Sequence, residues 1–191
     1  MKSVCFIIDT YVTGAQLPRH LQTIQRATDD GSDFSLRIVS LAHDPRLTLM
    51  EQRFSAQCTT LPGTALGERL NHAASASQAE WLVFALHATA LQAALWRSLF
   101  PMLDSYAMDA VVLGSSEPTL STRLLQRFMA TTLQSPPYIA VRRTWLERLG
   151  GFDPELDRTT IHDFLQRLHA CPTRIDALNA DGKPFSTGHI A

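Results

Sequence analysis

The chain has 191 residues, 45% of them hydrophobic and 18% charged, with a formal net charge of −1. That length and balance suit one ordinary globular domain with a substantial core. A near-neutral chain also lacks the basic footprint that nucleic acid or an anionic lipid surface requires. The three cysteines, Cys5, Cys58 and Cys171, are odd in number and far apart, so a reducing cytoplasm is expected. The N-terminus, MKSVCFIID, carries no secretory pattern because its apolar run is far too short. The most apolar stretch, Trp81–Phe100, is broken by His87, Thr89, Gln92 and Arg97. A membrane span needs roughly 20 nearly uninterrupted apolar residues, so none is expected.

Val4–Ile8 is a continuous apolar run of strand length, as expected of a strand covered on both faces. Asp9-Thr10-Tyr11 ends it, and a helix follows with Pro18 in its first turn and Leu17, Leu21 and Ile24 on one face. After the turn at Asp29-Asp30-Gly31, Leu36–Leu41 reads as a second strand. Gly63–Ala79 reads as a helix rich in small residues, able to lie close to a sheet, and Trp81–Leu86 as a third, central strand. Thr89-Ala90-Leu91-Gln92 has the form of a capping box. The helix it opens places Leu91, Leu95, Leu99 and Met102 along one stripe, with Pro101 expected to kink or end it.

Ala110–Leu113 is a further strand, and Leu120–Leu133 is an amphipathic helix closed by Pro136-Pro137. Tyr138–Val141 is an apolar strand that runs through Arg142-Arg143 into a short helix with Leu146 and Leu149 on one face. Gly150 stops that helix and Gly151-Phe152-Asp153-Pro154 turns the chain. Thr160–Ala170 is the last helix, with Ile161, Phe164, Leu165 and Leu168 at helical spacing. Arg174–Leu178 reads as an edge strand, and 179–191 as a frayed tail. Alternating strands and helices with short polar connections predict an α/β fold: a mostly parallel sheet with helices on both faces, in a single domain over 1–191.

Two blocks carry a family resemblance. Asn71–Phe84, NHAASASQAEWLVF, resembles without a gap the "N.g…A.geyl.fLD.D" segment of family 2 glycosyltransferases. Arg142–Asp153, with its RR and GGFD, resembles that family's "RR…l…GGFDe". The resemblance spans from about Val4 to about Ile175 and implies the GT-A (Rossmann-like) fold. It also implies a nucleotide-sugar crevice outside the carboxyl ends of the parallel strands.

At three places the resemblance breaks. The family's Asp-x-Asp falls on Leu86-His87-Ala88; its carboxylates would hold Mg²⁺ or Mn²⁺, which leucine and alanine cannot do. The "VVDDgS" acids at the end of the second strand fall on Ser40 and Leu41. The Glu-Asp pair of "ED.DL..RL", which supplies the general base, falls on Thr160 and Ile161. The resemblance therefore implies a degenerate GT-A domain, expected to serve without catalysis in surface polysaccharide or other glycoconjugate biosynthesis, with a protein partner in that pathway. Two alternatives stand beside it: a metal-independent glycosyltransferase using a nucleotide sugar, and a nucleotide- or protein-binding α/β module unrelated to sugars. No cofactor is expected, a divalent metal is doubtful, and a nucleotide sugar is the candidate substrate.

Candidate residues have two readings each. Asp9 is either a helix cap or a nucleotide contact. Ser40 keeps a hydrogen-bonding group where the family has an acid. His87 is either structural or a member of the crevice, since one imidazole is a poor match for a hard octahedral ion. Arg142 and Arg143 either clamp a phosphate or brace a turn. His162 and Asp163 are the candidate catalytic pair, or simply open a helix. His43-Asp44 reads as a loop, and Asn71 and Glu80 as structural residues. Ser75 and Ser77 have no histidine at a recognisable spacing, so no serine nucleophile is supported.

Overall fold

A computed structural model describes residues 3–28, 33–89, 91–104, 108–114 and 136–184. The strands are β1 (Val4–Asp9), β2 (Phe34–Ser40), β3 (Gln57–Thr60), β4 (Trp81–Ala85), β5 (Ala110–Leu113), β6 (Tyr138–Arg142) and β7 (Ile175–Leu178). The helices are α1 (Thr10–Thr13), α2 (Leu17–Ala27), α3 (Arg46–Phe54), α4 (Leu66–Ala76), α5 (Ala93–Asp104), α6 (Arg143–Arg148) and α7 (Thr159–Ala170). The strands form one seven-stranded sheet in the order β3-β2-β1-β4-β6-β5-β7. Among them only β6 runs against the rest, pairing antiparallel with both β4 and β5.

Alternation along β1 divides the core in two. Phe6 and Ile8 face one layer with Leu21, Ile24, Trp96 and Leu99, under α2 and α5. Cys5 and Ile7 face the other with Leu66, Leu70, Ala73, Leu146, Phe164 and Leu168, under α4, α6 and α7. Each large apolar side chain so enclosed contributes about 1.5–3 kcal/mol relative to exposure. An aromatic run ties this second layer together: Phe84 packs on Phe152 at 4.9 Å, and Phe152 on Phe164 at 4.6 Å. Trp81 is fully buried and its indole N–H donates to the Leu103 carbonyl at 3.1 Å, which fixes α5 against β4.

The parallel strands all end on one edge of the sheet, where Asp9, Ser40, Thr60, Ala85, Leu113 and Leu178 stand. Because β6 is reversed, its last residue, Arg142, pairs with Trp81 at the opposite, amino edge. Gly150 (φ +79°) and Gly151 (φ +72°) carry the chain out of α6 in the left-handed region, as the sequence predicts.

The structure departs from expectation in several elements. The strand β3 and the helix α3 are additional. Leu41 lies outside β2 and is exposed. The helix α5 begins at Ala93, beyond the expected capping box, and runs through Pro101 to Asp104. The Thr89 hydroxyl instead lies 3.0 Å from His87 Nδ1. Residues Asn179–Pro184, expected to fray, close a turn in which Asn179 Oδ1 accepts from the amides of Asp181 and Lys183, and Pro184 bridges to Leu178. The helix expected over Leu120–Leu133 lies outside the described residues. No helix among the described residues is long and apolar enough to cross a membrane.

Candidate functional site

At the carboxyl edge, Asp9 both ends β1 and caps α1. Its Oδ1 accepts from the Tyr11 amide at 2.7 Å, satisfying one of the helix's orphan donors. Its Oδ2 accepts from Arg69 Nε at 2.6 Å. The pair is enclosed, with side-chain exposure of 0% for Asp9 and 1% for Arg69. Arg69 reaches it from α4 and also donates from Nη1 to the Thr64 carbonyl at 2.5 Å. Both carboxylate oxygens are thus engaged from within the chain. The exposed Tyr11 ring lies 6.0 Å from the guanidinium of Arg69 and 4.8 Å from that of Arg158.

Ser40 is tied to the same corner. Its hydroxyl donates to the Ala42 carbonyl at 2.7 Å and accepts from Thr10 Oγ1 at 3.0 Å, linking the end of β2 to α1. Beyond β4, Leu86 is 5% exposed and belongs to the core, while His87 is exposed. Asp9, Ser40 and His87 therefore share one edge of the sheet.

Beneath His87 lies a buried polar chain that the sequence reading missed. The Tyr138 hydroxyl donates to the Thr89 carbonyl at 2.9 Å and stands 2.9 Å from His20 Nδ1. The hydroxyl proton goes to the carbonyl, so His20 donates from Nδ1, and its buried Nε2 has no hydrogen-bond partner. Burial pushes the His20 pKa below the ordinary imidazole value, outweighing the Ala88 backbone group that favours the charged form, and the neighbouring His87 adds to the lowering. The unfolded chain then binds a proton more readily than the folded one. Stability from His20 is therefore complete above the ordinary imidazole pKa and lost as pH falls through the lower, folded value. Urea denaturation should show stability falling as the pH drops below the ordinary imidazole value of 6.5, and a flatter profile for His20→Gln.

At the start of α7, Thr160 is buried and donates to the Asp153 carbonyl at 3.2 Å, and Ile161 lies in the core. Asp163 accepts from Arg167 Nε at 2.9 Å and Nη2 at 2.6 Å, one turn along the helix. His162 Nε2 lies 2.9 Å from the Gln166 amide nitrogen. Asn71 holds the glycine-rich turn, donating to the Phe152 carbonyl at 2.7 Å and accepting from its amide at 2.8 Å.

Arg142 and Arg143 are not brought to this edge. Arg142 pairs with Glu80, donates to the Met108 carbonyl at 3.2 Å and stacks over Trp81 at 4.7 Å. Arg143 donates to the carbonyls of Ala79 at 2.9 Å and Ala74 at 3.4 Å. Both stand at the amino edge because the strand that delivers them runs backwards. His43 and Asp44 sit in the loop before α3, where Asp44 pairs with Arg46 at 2.7 Å.

A divalent ion of the Mg²⁺ or Mn²⁺ kind asks for several hard oxygen donors converging on one point. The residues after β4 present a buried leucine, an exposed imidazole and an alanine, and the carboxylate of Asp9 is already matched by a guanidinium. That donor set does not fit such an ion. Among the described residues no group of three or more His, Cys, Asp or Glu side chains is placed to hold a metal.

No family model matches the chain, and no curated relative matches it. Solved structures do. Residues 1–349 of TarS from S. aureus superpose with a TM-score of 0.71 at 19% identity, covering 94% of this chain and 58% of that one. The mannosyltransferase PcManGT from Pyrobaculum calidifontis, in complex with GDP-Man and Mn²⁺, gives a TM-score of 0.65 at 19% identity, over 90% of this chain and 53% of that one. Glucosyl-3-phosphoglycerate synthase from Mycobacterium tuberculosis, in complex with phosphoglyceric acid, gives 0.68 at 15% identity, over 94% and 70%. The chain spans little more than half the length of the first two. At these identities the likeness establishes a shared fold.

Proposed function

We infer, from a chain with the GT-A glycosyltransferase fold, that it is a degenerate member of that architecture and does not perform metal-dependent sugar transfer. The observation that carries this reading is the state of the carboxyl edge. Its buried acid, Asp9, is matched by Arg69, and Leu86, Ser40 and Ile161 occupy the positions where the family resemblance calls for carboxylates. Asp163 spends its Oδ2 on Arg167 and His162 its Nε2 on Gln166, each one turn along α7, which suits side chains that brace their own helix. On this reading the domain acts in the cytoplasm, the compartment its three free cysteines suit, as a protein partner in assembling a surface polysaccharide or another glycoconjugate. The exposed His87 is then the side chain best placed to meet a nucleotide sugar, with Asp9 and Ser40 shaping the floor behind it.

Related folds have been crystallised with GDP-Man and Mn²⁺, and with UDP and Mn²⁺ or Mg²⁺. Those ligands set the test. Calorimetric titration of the full chain with UDP-glucose and GDP-mannose, with and without Mn²⁺, should show no dependence on the metal. Micromolar binding that requires Mn²⁺ would overturn the reading.

A further inference from the structure

A cleft of about 570 Å³ opens at the amino edge of the sheet, on the side away from the crevice described above. Topology builds it. Ser3, Glu80, Asp109 and Arg174 are the residues just ahead of β1, β4, β5 and β7, and the reversed β6 delivers Arg142 and Arg143 to the same place. Trp145 and Arg148 of α6 complete the wall. A five-residue strand such as β4 separates the two edges by roughly 16 Å.

Among the described residues the charges in this cleft do not balance. Two acids, Glu80 and Asp109, face four arginines. Glu80 pairs with Arg142, and Asp109 with Arg174 at 2.7 Å. The Arg174 guanidinium holds the Asp109 carboxyl below the usual carboxylate range, so it remains an anion at neutral pH. Arg143 and Arg148 have no carboxylate partner among the described residues. Arg143 gives its hydrogen bonds to neutral carbonyls, and its buried Nη2 has none. Arg148 lies against the Trp145 ring at 5.4 Å, and Trp145 is fixed by an indole N–H bond to Thr173 Oγ1 at 2.8 Å. Among the described residues of this cleft two positive charges are left over, in a chain whose net charge is −1.

We propose that this cleft binds a small multivalent oxyanion, a phosphate or diphosphate ester. Guanidinium groups recognise phosphate oxygens in forked pairs, and two surplus charges match a dianion. The volume falls within the range of small-molecule sites. The ring of Trp145 gives the organic part of an ester an apolar surface. A nucleic acid is disfavoured because the chain as a whole carries a net charge of −1.

The test uses the full chain with inorganic pyrophosphate as probe, read by thermal melting and calorimetry. Pyrophosphate should raise the melting temperature. Arg148→Glu, an exposed change on α6, should leave the unliganded melting temperature in place and weaken binding at least about tenfold. The proposal is overturned if pyrophosphate does not bind at millimolar concentration, or if Arg148→Glu retains wild-type affinity. Loss of binding in His87→Ala with full retention in Arg148→Glu would likewise overturn it, by placing the anion at the carboxyl edge.

Discussion

Arg69→Ala should cost about 3–5 kcal/mol of unfolding free energy, among the largest effects of any single substitution in this chain. The change removes the guanidinium 2.6 Å from Asp9 and leaves that carboxylate fully buried, still capping α1 but with no opposing charge. An uncompensated buried ion is far more costly than a lost surface pair, which contributes about 0–1 kcal/mol. Whole-domain stabilities are about 5–15 kcal/mol, so the variant stands near the edge of folding. Replacing both partners, Asp9→Leu with Arg69→Met, should recover most of the loss because neither charge then remains inside. Urea denaturation at neutral pH measures each. A loss below about 1 kcal/mol for Arg69→Ala would mean that water reaches the pair, contrary to its enclosure.

Gly67→Ala pits two effects against each other. By helix propensity alone, alanine in α4 should stabilise by about 1 kcal/mol. The added Cβ, however, would fall 1.8 Å from the Asp153 carbonyl oxygen, 2.7 Å from its carbon and 2.9 Å from Thr160 Oγ1. Backbone cannot swing aside as a flexible side chain can, so overpacking wins and a net loss of about 3 kcal/mol is expected. The turn is held from several directions, since Gly67 N–H donates to the Leu156 carbonyl at 3.1 Å and Asn71 grips Phe152 on both sides. Relief would therefore displace the turn after α6 and the first residues of α7 together. Gly63→Ala is the comparison: its Cβ would meet nothing within 4 Å, and only its φ of +75° opposes the change. Denaturant unfolding of the two variants separates contact from conformation. Equal losses would show that the close approach of α4 to the turn is not what Gly67 serves.

The elements with strong apolar patterns were legible in the sequence. The run Val4–Ile8, the stripe of Leu17, Leu21 and Ile24, and the aromatic-rich strand at Trp81 each match an observed element closely. The strand β3, Gln57–Thr60, was not, because four partly polar residues carry no usable alternation. The helix α3 could have been read from Leu47, Met50 and Phe54, which are spaced for one face.

Site residues were harder for two physical reasons. Arg142 and Arg143 follow a strand, but sequence order does not say which way that strand runs, and β6 runs against its neighbours. Arg69 was passed over because a lone arginine on a helix ordinarily faces water. Its position three residues after Leu66 and one before Leu70, both buried, was the available sign that it points inward toward a carboxylate.

The most direct test of lost metal chemistry is manganese itself. Electron paramagnetic resonance of Mn²⁺, recorded while the full chain is titrated in with UDP-glucose or GDP-mannose, counts free ions without assuming any turnover. The free-ion signal should persist at the level seen with the nucleotide sugar alone. A saturable loss of that signal at one ion per chain, dependent on the nucleotide sugar, would contradict the reading of the Leu86–Ala88 segment as unable to hold a divalent cation.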